Sequence, residues 1–100
     1  DRAVALMVMT TPELVAMLAD TLRARGWLLA SAESCTGGLI AAACTELAGS
    51  SDWFERGFVT YSNAAKTELL GVPEDLLRAH GAVSEPVARA MASPCRGITT

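Results

Sequence analysis

A chain of 100 residues has room for one small domain with a limited core. Its composition, 51% hydrophobic and 19% charged, excludes a disordered or fully solvated scaffold and points to a globular fold. A net charge of -3, with the eight Lys and Arg scattered, argues against a nucleic-acid footprint or an anionic membrane surface, leaving a small molecule or a protein as partner.

Residues 3–9 are apolar but far too short to span a bilayer, and they lack the basic region and cleavage site of a signal peptide. They read as a first strand, a linker remnant or a frayed terminus. Thr10-Thr11-Pro12-Glu13 is a helix start: a threonine can cap, Pro12 suits the first turn, and Glu13 completes a capping box with Thr10. Leu14, Met17, Leu18 and Leu22 then recur at helical spacing until Gly26, which predicts an amphipathic helix over a core. Residues 27–32 show no polar alternation, as expected of a strand buried on both faces of a parallel sheet.

Glu33-Ser34-Cys35-Thr36-Gly37-Gly38 follows as a tight strand-to-helix turn. Residues 38–48, apolar almost all round, predict a deeply packed helix stopped by Gly49. Residues 50–55 read as a loop or single turn that brings Trp53 and Phe54 together, and residues 57–61 as the second strand. The connection between the strands, about 25 residues containing a helix, suits a parallel crossover. Ser62-Asn63 caps a short helix over 64–70 that ends at Gly71. Pro73-Glu74-Asp75 opens a helix that stops at His80-Gly81, and Ser84-Glu85-Pro86 opens a last one through about Ala92. Residues 93–100 carry no usable period. Two or three strands are a small platform for five helices, so either the helices pack as a mostly helical cluster or strands that belong to this fold are expected beyond residue 100.

Cys35, Cys44 and Cys95 have no C-x-x-C spacing, and the single histidine cannot complete a familiar zinc set with them. Neither a disulfide framework nor a structural metal is indicated, and reduced thiols fit the cytoplasm. The turn at 33–38 carries a hydroxyl, a thiol and a second hydroxyl in succession, where glycines let backbone N–H groups converge. A plain helix cap needs the same residue types. Ser34 becomes a nucleophile only with a base in reach. His80, in the last turn of a helix, suits the dipole better than catalysis. Lys66, in a first helical turn where a cation is disfavoured, is the more interesting base, with an exposed helix lysine as the alternative. Both Ser34 and Lys66 follow a strand, and the carboxyl ends of parallel strands form the ligand crevice of open α/β sheets. Tyr61 ends the second strand at that edge and could stack on a flat ring. Cys35 is a rival nucleophile or a packing residue. Glu33 orients the turn, holds a partner lysine, or is an exposed loop carboxylate.

Ala32-Glu33-Ser34-Cys35-Thr36-Gly37-Gly38, Gly49-Ser50-Ser51, the run from Trp53 to Asn63, Ala65-Lys66, Leu70-Gly71-Val72 and His80-Gly81-Ala82-Val83-Ser84-Glu85 closely resemble, in order, the CinA C-terminal domain family, which includes bacterial nicotinamide-nucleotide amidases. The resemblance runs from about residue 12 to about residue 92, which makes 10–100 the N-terminal part of such a domain and 1–9 an extension or linker. It implies a three-layer α/β/α sandwich with a largely parallel sheet, commonly a homodimer, that hydrolyses nicotinamide mononucleotide to nicotinate mononucleotide and ammonia in NAD recycling. It implies no cofactor and no metal. On matching positions Ser34 looks like the nucleophile, Lys66 like its general base and Tyr61 like a substrate-pocket residue. To these we add the Thr36, Gly37 and Gly38 amides as an expected oxyanion site. The family continues with further strands, a Thr-Gly-Ile-Ala-Gly-Pro-type loop and a later arginine, none of which residues 93–100 resemble, so the sandwich is expected to be incomplete here. The alternative function is a non-catalytic competence- or damage-associated interaction module, or an inactive remnant.

Overall fold

A computed structural model describes residues 9–97, so the possible first strand at 3–9 lies almost wholly outside them. Helix α1, Thr11–Arg25, starts as the capping residues require: the Thr10 hydroxyl accepts the Glu13 N–H at 3.3 Å and donates to the Glu13 carboxylate at 3.0 Å. Its end consumes two residues beyond Arg25. Gly26 turns left-handed (φ 65°), and the Trp27 N–H bonds back to the Leu22 carbonyl at 2.9 Å. Trp27 is thereby committed to terminating the helix. Strand β1 begins only at Leu29 and runs Leu29–Glu33, rather than 27–32, while Trp27 lies exposed with the Arg25 guanidinium over its ring.

Helix α2, Leu39–Thr45, is shorter than the predicted 38–48 and is not deeply packed. Cys44 is buried and Ala43 packs beside it, but Leu39 and Ile40 stay exposed, because α1 and the strands cover only one side of the helix. A 3-10 turn at Ser50–Asp52 leads to Trp53 and Phe54, whose rings meet edge to face with centroids 6.3 Å apart. Strand β2, Phe54–Val59, starts and ends earlier than the predicted 57–61, leaving Tyr61 beyond it. It pairs in parallel with β1, as the crossover length requires. Helices α3, Asn63–Leu70, α4, Glu74–His80, and α5, Glu85–Ala92, complete the order, and a 3-10 turn at Ser93–Gly97 packs against β1.

The two strands separate two cores. Val15, Ala19, Leu22, Cys44 and Trp53 fill one, between the sheet and α1 and α2; Leu70, Val72, Leu77, Val87 and Met91 fill the other, against α3, α4 and α5. This is an α/β/α arrangement around a small parallel sheet. The register shifts after Leu29: Leu29 pairs with Phe54 but Ala30 with Arg56, leaving Glu55 as an extra residue. Phe54 and Phe58, four apart, would share a face in a regular strand. The extra residue sends Phe54 to the α1/α2 core and Phe58 to the other.

Gly57 is the close approach between layers. A Cβ there would stand 2.9 Å from the Ser31 hydroxyl and 3.4 Å from the Ala41 methyl. Gly57→Ala is expected to cost about 1 to 3 kcal/mol in denaturant unfolding. Ser31→Ala should relieve most of that in the double variant, since the Ser31 hydroxyl is buried and lacks a partner among the described residues.

Candidate functional site

The site grows from the ends of the two strands. Glu33 pairs with Val59, and the Thr60 N–H donates to the Glu33 carbonyl at 3.0 Å, so Ser34 and Thr60 leave the sheet side by side, about 5 Å apart as neighbouring strands are. Ser34 opens a turn closed by the Gly37 N–H on its carbonyl at 3.1 Å. Gly37 and Gly38 take φ of 63° and 111°, left-handed values that β-carbons disfavour, and the chain then enters α2.

Glu33 is only 4% exposed. Its carboxylate accepts the Thr36 hydroxyl, the Ile40 N–H at 3.1 and 3.2 Å and the Ala41 N–H at 3.2 Å. Burial works to raise its pKa, but the donors from Thr36, Ile40, Ala41 and Gly38 together outweigh it and hold the carboxyl below its ordinary value of 4.5. A depressed carboxylate adds stability above its unfolded pKa and loses it as pH falls through the folded one. The melting-temperature gap between parent and Glu33→Gln should therefore be full at neutral pH and close as the medium is acidified below about 4.5. A gap that stays constant into acid would contradict the cap.

Ser34 is half-buried and faces a cleft of about 550 Å³ between the turn and the start of α5. Ala82, Val83, Ser84 and Glu85 form the far wall, with Met91 below. Glu85 is ion-paired with Arg89 at 2.7 Å. The sequence reading gave this wall no chemistry; its signal was the His80-to-Glu85 block, which stood out without an assigned task.

Lys66 lies in α3, whose start is fixed by the Ser62 hydroxyl accepting the Ala65 N–H at 3.0 Å. Its side chain is 2% exposed, and Nζ donates to the Tyr61 carbonyl at 3.1 Å, back at the edge where β2 ends. No carboxylate pairs with it among the described residues. Ser34, just past β1, and Lys66, in the helix that follows β2, thus approach the same end of the sheet. They are not hydrogen-bonded to each other, and Lys66 does not line the cleft. Tyr61 is 75% exposed, and its hydrogen bond with Lys66 is made by its carbonyl.

The three expected oxyanion amides are unequal. Gly37 is engaged by Ser34 and Gly38 bears on Glu33, whereas Thr36 N–H has no protein acceptor among the described residues. Cys35 is exposed beside Ser34; Cys44 is buried, its thiol pushed up by burial and then by the Glu33 charge. His80 is exposed as the last residue of α4. Among the described residues, no three His, Cys, Asp or Glu gather as a metal site, and no helix is long and apolar enough to cross a membrane.

Known proteins resemble this chain in sequence and overall fold. The model of the CinA C-terminal domain family matches residues 11–100, running past the Ala92 at which the block-by-block resemblance stops. The chain is 62% identical over 80 residues to the nicotinamide-nucleotide amidohydrolase PncC of Enterobacter agglomerans, covering 80% of this chain and 49% of that protein. It is 61% identical over 82 residues to a CinA-like protein of Syntrophobacter fumaroxidans, covering 81% of this chain and 19% of that one. The crystal structure of the competence damage-inducible protein A of Klebsiella pneumoniae superposes with a TM-score of 0.86 at 42% identity, covering 91% of this chain and 56% of that one. The chain therefore spans about half the length of the amidohydrolase relative.

Proposed function

The chain belongs to the CinA C-terminal domain family, and from that premise we propose that it carries the nucleophile and base of an amidohydrolase acting on nicotinamide mononucleotide. The observation that carries this is Lys66: a lysine 2% exposed, with a carbonyl as its sole hydrogen-bond partner among the described residues, at the strand edge where Ser34 leaves the sheet. Ser34 Oγ attacks the carboxamide carbon and its proton passes to the Lys66 amine. The Thr36 N–H meets the oxygen on which negative charge develops. The C–N bond then breaks, and the amino group leaves as ammonia with the proton from Lys66. Water adds to the resulting Ser34 ester, Lys66 takes one of its protons and returns it to Ser34, and nicotinate mononucleotide departs as the carboxylate, its acid proton lost to the solvent. Tyr61, exposed at the same edge, offers a ring for the pyridine to stack on.

The test uses this chain alone and a completed domain, in which its residues through Ala92 are followed by the matching remainder of the Enterobacter agglomerans amidohydrolase. Ammonia release from nicotinamide mononucleotide is expected from the completed domain and should be abolished by Ser34→Ala. Full-rate release by Ser34→Ala sinks the proposal.

The Klebsiella pneumoniae relative, named for competence damage, supports a second reading for the isolated chain, as an interaction module. Nicotinamide mononucleotide should raise the melting temperature of the completed domain; the absence of any rise with the isolated chain would support the second reading.

A further inference from the structure

The chemistry above gives Glu33 no task. Helix α2 has Gly38 as its own N-cap, which supplies no side-chain bond to the first amides. The carboxylate that meets them comes instead from the end of β1, seven residues before Ile40. The Glu33 backbone meanwhile belongs to the sheet, its carbonyl accepting the Thr60 N–H at 3.0 Å. One residue therefore ties the end of β1 to the start of α2, and the turn between cannot shift without breaking one of these bonds. Ser34 Oγ, in contrast, has no hydrogen-bond partner among the described residues, so the backbone of the turn sets where its Cβ stands and which rotamers reach the cleft.

We propose that Glu33 is the positioning residue of Ser34: held by the Thr36 hydroxyl and the Ile40 and Ala41 amides, it fixes the turn in the shape that presents Ser34 Oγ to the cleft. This rests on Ser34 being the nucleophile. Glu33 lines the cleft, but both of its carboxylate oxygens are engaged by protein donors of the turn and of α2, which ties its charge to their shape. It also fills the place at a glycine-rich helix entrance where a phosphate commonly sits, so the substrate's anion is held elsewhere.

The experiment compares Ser34→Ala, Glu33→Gln and Thr36→Val with the parent in the completed domain, reading kcat and KM separately. Glutamine keeps the length of the side chain but sets an NH₂ group against the donors that the second oxygen accepted. Displacing a reacting group by about 1 Å costs roughly 10²-fold, so Glu33→Gln should lower kcat by about that factor with KM unchanged. A cap that only stabilised the fold would lower the melting temperature and leave kcat of the folded protein intact. If Ser34→Ala keeps the parent rate, the nucleophile assignment fails and this proposal falls with it. If Ser34→Ala is inactive while Glu33→Gln keeps kcat within about twofold, the positioning role alone is overturned. Should Glu33→Gln fail to fold, Thr36→Val decides: it removes one donor at an exposed position, and a kcat loss of about tenfold at unchanged KM is expected, whereas parent kcat overturns the proposal.

Discussion

Lys66→Met in the completed domain is expected to lower the rate of ammonia release by about 10²- to 10⁴-fold, the usual contribution of a positioned general base. The melting temperature should hold or rise. Methionine fills nearly the volume of the lysine stem, and exchanging a buried ionisable group for an apolar one of similar size is often neutral or stabilising. The carbonyl it leaves belongs to Tyr61, an exposed residue in reach of water. Rate and stability thus move independently, which separates a base from a structural lysine. Lys66→Arg should not restore the rate, because a guanidinium keeps its proton and cannot accept another. The assignment is wrong if Lys66→Met melts lower than the parent yet turns over at the parental rate.

Trp53→Ala carries the largest expected effect on stability, about 3 to 5 kcal/mol. The indole is fully buried in the α1/α2 core, touches Phe54 edge to face, and follows the turn that delivers the chain into β2. Its carbonyl accepts the Leu29 N–H at 2.7 Å, so the residue also joins the starts of both strands. A domain of this size has roughly 5 to 15 kcal/mol in total, so the loss is about a fifth of it or more. The melting temperature should fall by at least about 12 °C. Trp53→Phe should cost well under half as much, since the indole N–H has no partner among the described residues and its removal forfeits no hydrogen bond. Denaturant titration that finds Trp53→Ala within about 1 kcal/mol of the parent would refute this account of the core.

The sequence disclosed what is local. Thr10, Ser62 and Ser84 cap helices because a short hydroxyl reaches an N–H three residues on, and Gly26 and Gly71 end them because only the backbone nearby decides that. Strand bounds were less legible. The charged pair Glu55-Arg56 and Gly57 hid the first half of β2, since the register shift that accommodates them arises from pairing with β1. The apolar pattern of α2 suggested burial all round, yet what covers a helix is a property of its neighbours, and Leu39 and Ile40 are left open. At the site, strand-end topology foretold that Ser34 and Lys66 would approach the same end of the sheet. Which of three roles Glu33 takes was not legible, because its carboxylate bonds amides seven and eight residues away that only the folded turn brings within reach.

The extra residue at Glu55 makes β2 more sensitive to added length than to lost length. Deleting Glu55 would leave Phe54 opposite Leu29 and Arg56 opposite Ala30 with every facing kept, but inserting one residue beside it would force a choice: either the bulge widens to two unpaired residues, or every residue from Arg56 onward slips by one and reverses its facing. The second outcome would carry Thr60 out of line with Glu33 and drag Tyr61 and the entrance of α3 with it. By that second route a single-codon insertion far from the cleft, at the opposite end of the strand, would dislocate Lys66 from Ser34 while leaving both residues in the chain.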